Sequence, residues 1–327
     1  MKFNRTFAVD AFVLTSLISL ISLTSPTSLA QAQSYPVRPV TVFVGFPAGG
    51  SVDLLARAAA EEMSASLGQR LVVQNRDGAS STIAISAVLA APADGYTLAA
   101  GAATPFTHVL HVMKEKPFAP EQFEFICQTF RNEFTFSVRA ESPYKTLNDV
   151  IEAIRAQPGK VSYGHSGHMT APHLGMIDFL RQINGSALDV PFKGEAAMLP
   201  VFLGGNIDFA TPSATLASTQ RERVRALAVF ADKRLPALPN SPSVAEFGVR
   251  LGTHAGLNGF FAPKGTPREV LRVLESACER AVKSERFAQA TARYATVPTF
   301  LGTADFTRLV LDDHRQKGEM IRSLEAK

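Results

Sequence analysis

The stretch Val40-Thr-Val-Phe-Val-Gly-Phe-Pro-Ala-Gly-Gly-Ser-Val-Asp53 decides the fold of this 327-residue chain. Its first five residues are apolar or β-branched, which is typical of a buried parallel strand. Residues 53–67 then place apolar side chains at helical spacing. Gly49 and Gly50 in the joining loop leave the backbone uncovered, and Ser51 is expected to cap the helix. A strand that runs directly into a helix is the repeating unit of an α/β protein.

The same alternation continues to the end of the chain. It predicts further strands at residues 71–74, 96–100, 123–129, 134–139, 161–163, 188–192, 207–210, 225–230 and 256–262. It predicts helices at residues 82–91, 147–156, 172–183, 195–203, 267–284 and 303–324. Such alternation favours parallel sheets covered by helices on both faces.

Two sheets with a cleft between them suit the length better than one sheet. Residues 132–138 and 256–261 look extended enough to cross between two such lobes. The predicted fold class is therefore α/β, with two lobes that each contain a mostly parallel sheet flanked by helices. We assign residues 33–134 plus 260–327 to lobe 1 and residues 135–259 to lobe 2.

Composition limits the classes of function. Apolar residues make up 46% of the chain and charged residues 19%, which is enough hydrophobic material for real cores. The net charge of +4 is spread without a basic run, so nucleic acid is not expected as a partner. Two cysteines cannot form a disulfide scaffold or a four-thiolate metal site. Neither spacing nor context favours a bridge between Cys127 and Cys278, so we expect two inert buried thiols, and pairing would require α-carbons within about 7 Å.

The N-terminus has the three-part layout of a secretory signal peptide. Lys2 and Arg5 precede an uncharged, largely apolar run at residues 11–23, and small residues at Ala30 and Ala32 form a cleavage site. The apolar run is too short to cross about 30 Å of hydrocarbon as a helix. We therefore predict that residues 1–32 are a signal peptide and that the mature protein is exported.

Two strand-to-helix loops are candidate anion sites. In residues 46–53, free N–H groups and the positive end of the helix dipole favour a carboxylate, although a plain capped turn explains the loop as well. The nucleotide-binding glycine patterns are absent from this turn, and Asp53 is expected to support the helix start. In residues 163–173, Ser166, Thr170 and local N–H groups could hold a carboxylate without a full positive charge.

Other hypotheses concern the second loop. Gly164-His-Ser-Gly-His168 nearly matches the Gly-x-Ser-x-Gly elbow of serine hydrolases, with Ser166 as nucleophile. Its acid and base could be nominated only by chain order, from Asp208, Asp232, His254 and His314.

Three histidines suggest a metal site in the same loop. No acid or thiolate stands beside His165, His168 and His173 in the sequence, so we predict no metal. Lys193, after the strand at residues 188–192, either faces the cleft as a cation or lies along the surface.

The chain resembles the Bug family, the solute receptors of tripartite tricarboxylate transporters, over nearly all its mature length. The motifs that carry this resemblance are, in chain order, Tyr35-Pro36, Phe46-Pro-Ala-Gly-Gly-Ser-x-Asp53, Leu67-Gly-Gln69, Asn75-Arg76, Ala93-Asp-Gly-Tyr-Thr-Leu98, Ser166-Gly-x-x-Thr-x-Pro-His173, Pro191-Phe-Lys-Gly194, Arg225-Ala-Leu-Ala-Val229, Ser243-Val-Ala-Glu246 and Phe261-Ala-Pro-x-Gly-Thr-Pro267.

The resemblance implies a periplasmic, type II-like binding protein that is not an enzyme and needs no cofactor. It implies a monomer that binds a small carboxylate, either a di- or tricarboxylate or an aromatic acid, and that meets integral-membrane transporter subunits. The ligand-binding residues that we predict are Phe46, Ala48, Gly49, Gly50, Ser51, Asp53, Thr104, Thr107, His108, Ser166, Gly167, His168, Thr170, Ala171, His173, Phe192 and Lys193. A secreted serine hydrolase and a ligand sensor that feeds a signalling partner are the alternatives.

Several positions depart from the family pattern. His168-Met169 stands in place of Asn-Gly, and Phe192 lacks the hydroxyl of the usual tyrosine. The family tends to carry an Asp-Asn pair after the strand at 207–210, where Asp208-Phe-Ala-Thr-Pro-Ser213 has no acid at the corresponding place. An acid there would suit a ligand ammonium group, so its absence argues against an amino acid. Leu257-Asn258 replaces a frequent aromatic pair.

Overall fold

The computed structural model describes residues 35–249, 256–294, 296 and 298–325. The predicted signal peptide lies outside these residues. The strands are β1 (Val40–Val44), β2 (Leu71–Asn75), β3 (Thr97–Ala102), β4 (Phe123–Asn132), β5 (Thr135–Arg139), β6 (Ser162–His165), β7 (Leu188–Pro191), β8 (Phe209–Ala210), β9 (Val224–Val229), β10 (Gly256–Pro263) and β11 (Pro298–Gly302).

Seven of the ten helices in the described part of the chain lie on predicted segments, whereas the helices at residues 110–112, 214–219 and 285–293, and strand β11, were not predicted. The helices are α1 (Ser51–Leu67), α2 (Thr82–Leu89), α3 (Leu110–Val112), α4 (Leu147–Ala156), α5 (Ala171–Gln182), α6 (Glu195–Leu203), α7 (Ala214–Thr219), α8 (Arg268–Lys283), α9 (Glu285–Arg293) and α10 (Thr303–Glu325). In the part of the chain that the structure describes, no helix has both the length and the hydropathy of a membrane span.

The strands form two sheets, and we call each sheet with its helices a lobe. The first sheet has the order β11-β4-β10-β3-β1-β2, and the second has the order β7-β6-β8-β5-β9. This confirms the prediction of an α/β protein with two sheets. Strand β1 pairs in parallel with β2 and β3, and β6 pairs in parallel with β7 and β8. The remaining pairs are antiparallel, so the sheets are mixed where we expected mostly parallel ones.

The antiparallel pairs follow from the path of the chain between the sheets. Strand β4 ends in the first sheet at Asn132, and β5 begins in the second sheet at Thr135. Strand β10 returns to the first sheet, where it pairs with β4 in the opposite direction. Parallel neighbours need a crossover connection, whereas a leaving strand and a returning strand can pair directly. The lobe boundaries in sequence stay a prediction.

Strand β1 is apolar throughout because both of its faces are covered. Val42 packs with Leu55 and Ala59 of α1 in one core cluster. Phe43 points to the opposite face, where it packs with Phe106 in a second cluster. Burial of both faces explains the continuous apolar run from which the fold was predicted.

A disulfide joins Cys127 of β4 to Cys278 of α8, so our expectation of two inert thiols was wrong. Helix α8 lies on the first sheet and shares a core cluster with β4, and the two α-carbons are 6.6 Å apart. The two cysteines are 151 residues apart in sequence, so only the packing of α8 against β4 brings them together.

We predict that loss of this disulfide destabilises the protein by about 2–5 kcal/mol, because the bridge closes a long loop in the unfolded chain. Urea unfolding of the wild type with and without reductant, and of the double variant Cys127→Ser/Cys278→Ser, measures this difference. Reductant should leave the double variant unchanged. Equal unfolding midpoints for the oxidised wild type and the double variant would contradict the prediction.

Candidate functional site

The first candidate loop ends where helix α1 begins. Gly50 is the N-cap residue, and its extended backbone carries no side-chain cap. We expected Ser51 to cap the helix, but it is the first helical residue and its side chain does not cap. Its Oγ instead donates a hydrogen bond of 2.8 Å to Oε2 of Glu195, which lies in the first turn of α6 in the second lobe. The start of α1 therefore contacts the opposite lobe.

Asp53 holds this loop from behind. Its carboxylate accepts hydrogen bonds from the Gly49 N–H at 3.0 Å, from Arg57 Nε at 2.9 Å and from Asn75 Nδ2 at 2.8 Å. Only 1% of the residue is exposed, and it does not line the pocket described below. The geometry matches the supporting role that we expected for Asp53, rather than a contact with ligand.

The second candidate loop ends where helix α5 begins. Thr170 is the N-cap residue, and its Oγ1 donates to the Gly167 carbonyl at 2.7 Å instead of capping the helix. Ala171 and Pro172 form the first helical turn. The N-terminal ends of both α1 and α5 thus lack side-chain caps, and their free N–H groups remain suited to an anion.

Asp189 on β7 links the two buried histidines of this loop. His165 Nε2 lies 2.5 Å from Asp189 Oδ1, and His173 Nε2 lies 3.4 Å from Asp189 Oδ2. His165 Nδ1 contacts the Gly167 carbonyl at 2.8 Å, and His173 Nδ1 accepts from the Met169 N–H at 2.8 Å. The sequence showed no acid beside these histidines, but the fold supplies one.

These three residues have donor atoms that a metal ion could use, all within 4.8 Å of one another. Each of them is also used in a hydrogen bond that fixes the loop. Burial would raise the pKa of Asp189, but hydrogen bonds from both imidazoles outweigh it and hold the pKa well below its usual range. Burial lowers the pKa of His173, against the opposing effect of Asp189. We read the cluster as a brace for the loop, and our prediction of no metal stands as a prediction.

A pocket lies between the lobes at the N-terminal ends of α1 and α5. Predicted site residues that line it are Phe46, Gly50, Ser51, Thr104, Ser166, Thr170 and Ala171. It is completed by residues that we did not predict, namely Pro47, Val52, Ala102, Asn132, Phe134, Pro172, Glu195, Gly256 and Asn258. The two loops chosen from the sequence therefore meet at one cavity.

A second pocket adjoins the first and shares Phe46 and Ser166 with it. Its predicted members also include Gly167, His168, Phe192 and Lys193. The lobes touch here as well, because Ser80 Oγ donates to the His168 carbonyl at 2.8 Å. Residues 79–81 all have positive φ although none of them is glycine, which is a strained conformation often found at functional sites.

The remaining predicted residues line neither pocket. Ala48 and Gly49 are exposed at the tip of the first loop. Thr107 and His108 are buried, and Thr107 Oγ1 lies 2.8 Å from His108 Nδ1. These four residues, together with Asp53 and His173, support the pocket or lie outside it. Their assignment as ligand-binding residues stays a prediction.

Glu195 lines the pocket and is the most important residue missing from our predicted ligand-binding set. Ser213 lies after β8, where the sequence pattern lacked an acid, and the Ser213 N–H donates to Glu195 Oε1. The Ser213 hydroxyl donates to Oε2 of the same carboxylate at 3.1 Å. An acid from α6 therefore contacts this segment, although the segment itself carries none, and the argument against an amino acid ligand stays a prediction. In the sequence, Gly194-Glu195 at the start of a predicted helix was the only sign of this residue, and it did not show which way the Glu195 side chain points.

Among the residues that the structure describes, no hydrolase triad is assembled around Ser166. No hydrogen bond joins Ser166 to a histidine within the described ranges, and Asp189 and Gly167 occupy the ring nitrogens of His165. Asp208 accepts from the Ser162 hydroxyl at 2.7 Å, and His314 bonds to the Phe106 carbonyl at 2.6 Å in the other lobe. His254 lies outside the described residues.

Two α/β lobes with a pocket between them have the architecture of a two-lobed binding protein, since ligand pockets occur preferentially at domain interfaces. The family model of the tripartite tricarboxylate transporter family receptor matches residues 55–326. The chain therefore belongs to this receptor family, the periplasmic solute-binding receptors of the TctC/Bug type.

Known proteins agree with this assignment along the chain. A UPF0065 protein of Bordetella pertussis is 31% identical, and the match covers 96% of this chain and 98% of the relative. The structure of the periplasmic binding protein BugD superposes with a TM-score of 0.83 at 27% identity, over 89% of this chain and 99% of BugD. A Rhodopseudomonas palustris protein solved with adipate superposes with a TM-score of 0.84 at 28% identity, over 89% and 98% of the two chains.

We predict that Asp53→Asn destabilises the protein by about 1–3 kcal/mol, because a neutral amide leaves buried donors of the first loop poorly paired. Denaturant unfolding measures the change. The matched control is Asp77→Asn, which alters an exposed carboxylate and should change the stability by less than about 0.5 kcal/mol. Equal effects of the two substitutions would refute the supporting role of Asp53.

We predict that His173 contributes to a loss of stability as the pH falls from 7 to 5. Its pKa in the folded state lies below the ordinary value of 6.5, so the unfolded chain binds the proton more readily. Stability from neutral His173 is therefore present above about pH 6.5 and declines below it. His173→Gln should show a smaller decline in unfolding free energy than the wild type. An unchanged decline would rule out this contribution.

Proposed function

We propose that this receptor captures a small carboxylate in the periplasm and delivers it to integral-membrane subunits of a tripartite transporter. The observation that carries the proposal is the meeting of two uncapped helix starts, from opposite lobes, at one pocket. The partial positive charge of each helix start attracts an anion, and its free N–H groups can donate hydrogen bonds to carboxylate oxygens.

Contacts from both lobes would favour a closed state of the receptor. A ligand held by Ser51 from one side and by Thr170 from the other binds best when the lobes are together. Differential affinity for the closed form is what shifts a two-state equilibrium. The adipate complex of the R. palustris relative supports a carboxylate as the class of ligand. The closed surface is the form that we expect transporter subunits to recognise.

Two features support export to the periplasm. Residues 1–32 have the layout of a signal peptide. The Cys127–Cys278 disulfide is of a kind that forms and persists in oxidising compartments such as the periplasm. We propose that the mature protein works there as a monomeric binding protein that performs no catalysis and requires no cofactor.

A thermal-shift screen of small carboxylates tests the proposal. A true ligand at 100 times its dissociation constant adds about 2.7 kcal/mol to the unfolding free energy, and the melting temperature should rise by a few degrees. Ser166→Ala in the pocket should weaken binding several-fold, whereas the exposed Ser323→Ala should not change it. Absence of any stabilisation by carboxylates would overturn the proposal.

A fluorophosphonate probe separates the receptor from the hydrolase alternative. We expect no covalent labelling of Ser166, because no described histidine is bonded to its hydroxyl. Labelling that disappears in Ser166→Ala would establish a reactive serine and refute a purely binding role.

A further inference from the structure

Several hydrogen-bond acceptors line the pocket. Glu195, Asn132 and Asn258 all line it, and their exposed fractions are 8%, 3% and 1%. The Oδ1 atoms of Asn132 and Asn258 have no hydrogen-bond donor among the residues that the structure describes. A buried acceptor without a donor is costly, so such atoms in a cavity indicate a missing partner.

The other contacts of the two amides fix which atom is the acceptor. Asn258 Nδ2 donates to the Gly256 carbonyl at 2.8 Å, which requires an N–H at that position. Asn132 Nδ2 lies 3.5 Å from Ser51 Oγ, whose own proton goes to Glu195. Both amides would lose these bonds if they were flipped, so both Oδ1 atoms are acceptors.

The backbone places these side chains at one end of two paired strands. Asn132, the last residue of β4, lies opposite Gly256, and Asn258 follows two residues later on β10. The ladder shifts register between Asn258 and Gly259, and such a bulge re-aims the neighbouring side chain. Gly259 is required at the bulge, because a Cβ there would lie 2.1 Å from the Cys127 carbonyl oxygen.

The side chains that line the pocket carry one formal negative charge. Glu195 is the one ionisable side chain among the described lining residues, and no lysine, arginine or histidine lines this pocket within those ranges. A ligand with negative charges alone would therefore place a carboxylate near Glu195 without a cation to compensate it. Like charges in a poorly solvated site repel strongly. A ligand group that donates protons and carries positive charge would satisfy the acceptors and Glu195 together.

We infer that the ligand is a zwitterion, in which an ammonium group accompanies the carboxylate. This inference rests on the proposed function and specifies its substrate class. The carboxylate lies at the starts of α1 and α5, and the ammonium group donates to Asn132, Asn258 and Glu195. Small α-amino acids and related ammonium-bearing carboxylates fit this arrangement, and Phe46 and Phe134 provide apolar walls.

Titration calorimetry with matched ligands tests the inference. Each of the common L-α-amino acids is compared with the acid in which hydrogen replaces the ammonium group, for example aspartate with succinate and phenylalanine with 3-phenylpropionate. We expect the ammonium-bearing member of the bound pair to bind at least ten-fold more tightly. This comparison uses the wild-type mature protein and does not depend on any substitution.

Substitution of the acid provides a second readout. Glu195→Gln should weaken binding of the ammonium-bearing ligand at least ten-fold, and it should leave the matched acid unchanged or bound more tightly. Asn258→Ser should weaken the same ligand several-fold. The exposed Glu152→Gln on α4 is the matched control and should bind like the wild type.

The outcomes separate the two proposals. Equal or tighter binding of the acid that lacks the ammonium group would overturn the inference and leave the carboxylate receptor standing. Binding by no member of any pair, and by none of the carboxylates screened above, would overturn the proposed function and the inference together.

Discussion

Helix starts need acceptors for their free N–H groups, and this requirement organises the cleft. Helices α1 and α5 begin at the same cavity without side-chain caps, each preceded by a loop that other residues hold in place. Asp53 fixes the first loop, and the His165–Asp189–His173 cluster fixes the second. Because these residues fix the loops from outside the cavity, the N–H groups within it remain available. The backbone dipoles of the site are therefore oriented before a ligand binds.

The two strands that join the lobes have a second role. Strands β4 and β10 are neighbours in the first sheet, and Asn132 and Asn258 on these strands line the cavity. The strands through which the chain passes between the lobes thus also provide polar side chains of the pocket. Glu195 adds a carboxylate to these polar side chains from the other lobe, where it accepts a hydrogen bond from Ser51. The strands that connect the lobes and the polar groups that line the pocket therefore lie in the same part of the molecule.

Local sequence patterns predicted most of the elements, since burial on both faces of β1 and the spacing in α1 leave a direct trace in residue types. They missed β11 and the helices α3, α7 and α9. The two loops were predicted from their glycine and hydroxyl residues at the starts of α1 and α5. Three features depended on contacts between distant segments and left no such trace. Cys127 meets Cys278 only after α8 packs on the sheet, and Glu195 reaches Ser213 only through the placement of α6. Asp189 meets His165 across the paired strands β6 and β7, and it meets His173 only once α5 is in place. The antiparallel pairing of β4 and β10 likewise follows from the path of the chain and not from composition.

The covalent link between β4 and α8 has a mechanical consequence. Cys127 lies five residues before Asn132 on the strand that leads out of the first lobe, and Cys278 fastens that strand to a long helix. Torsional freedom upstream of the exit point is therefore restricted. Only Glu133 and Phe134 lie between β4 and β5, so a rotation of one lobe against the other would have few backbone torsions to use on this connection.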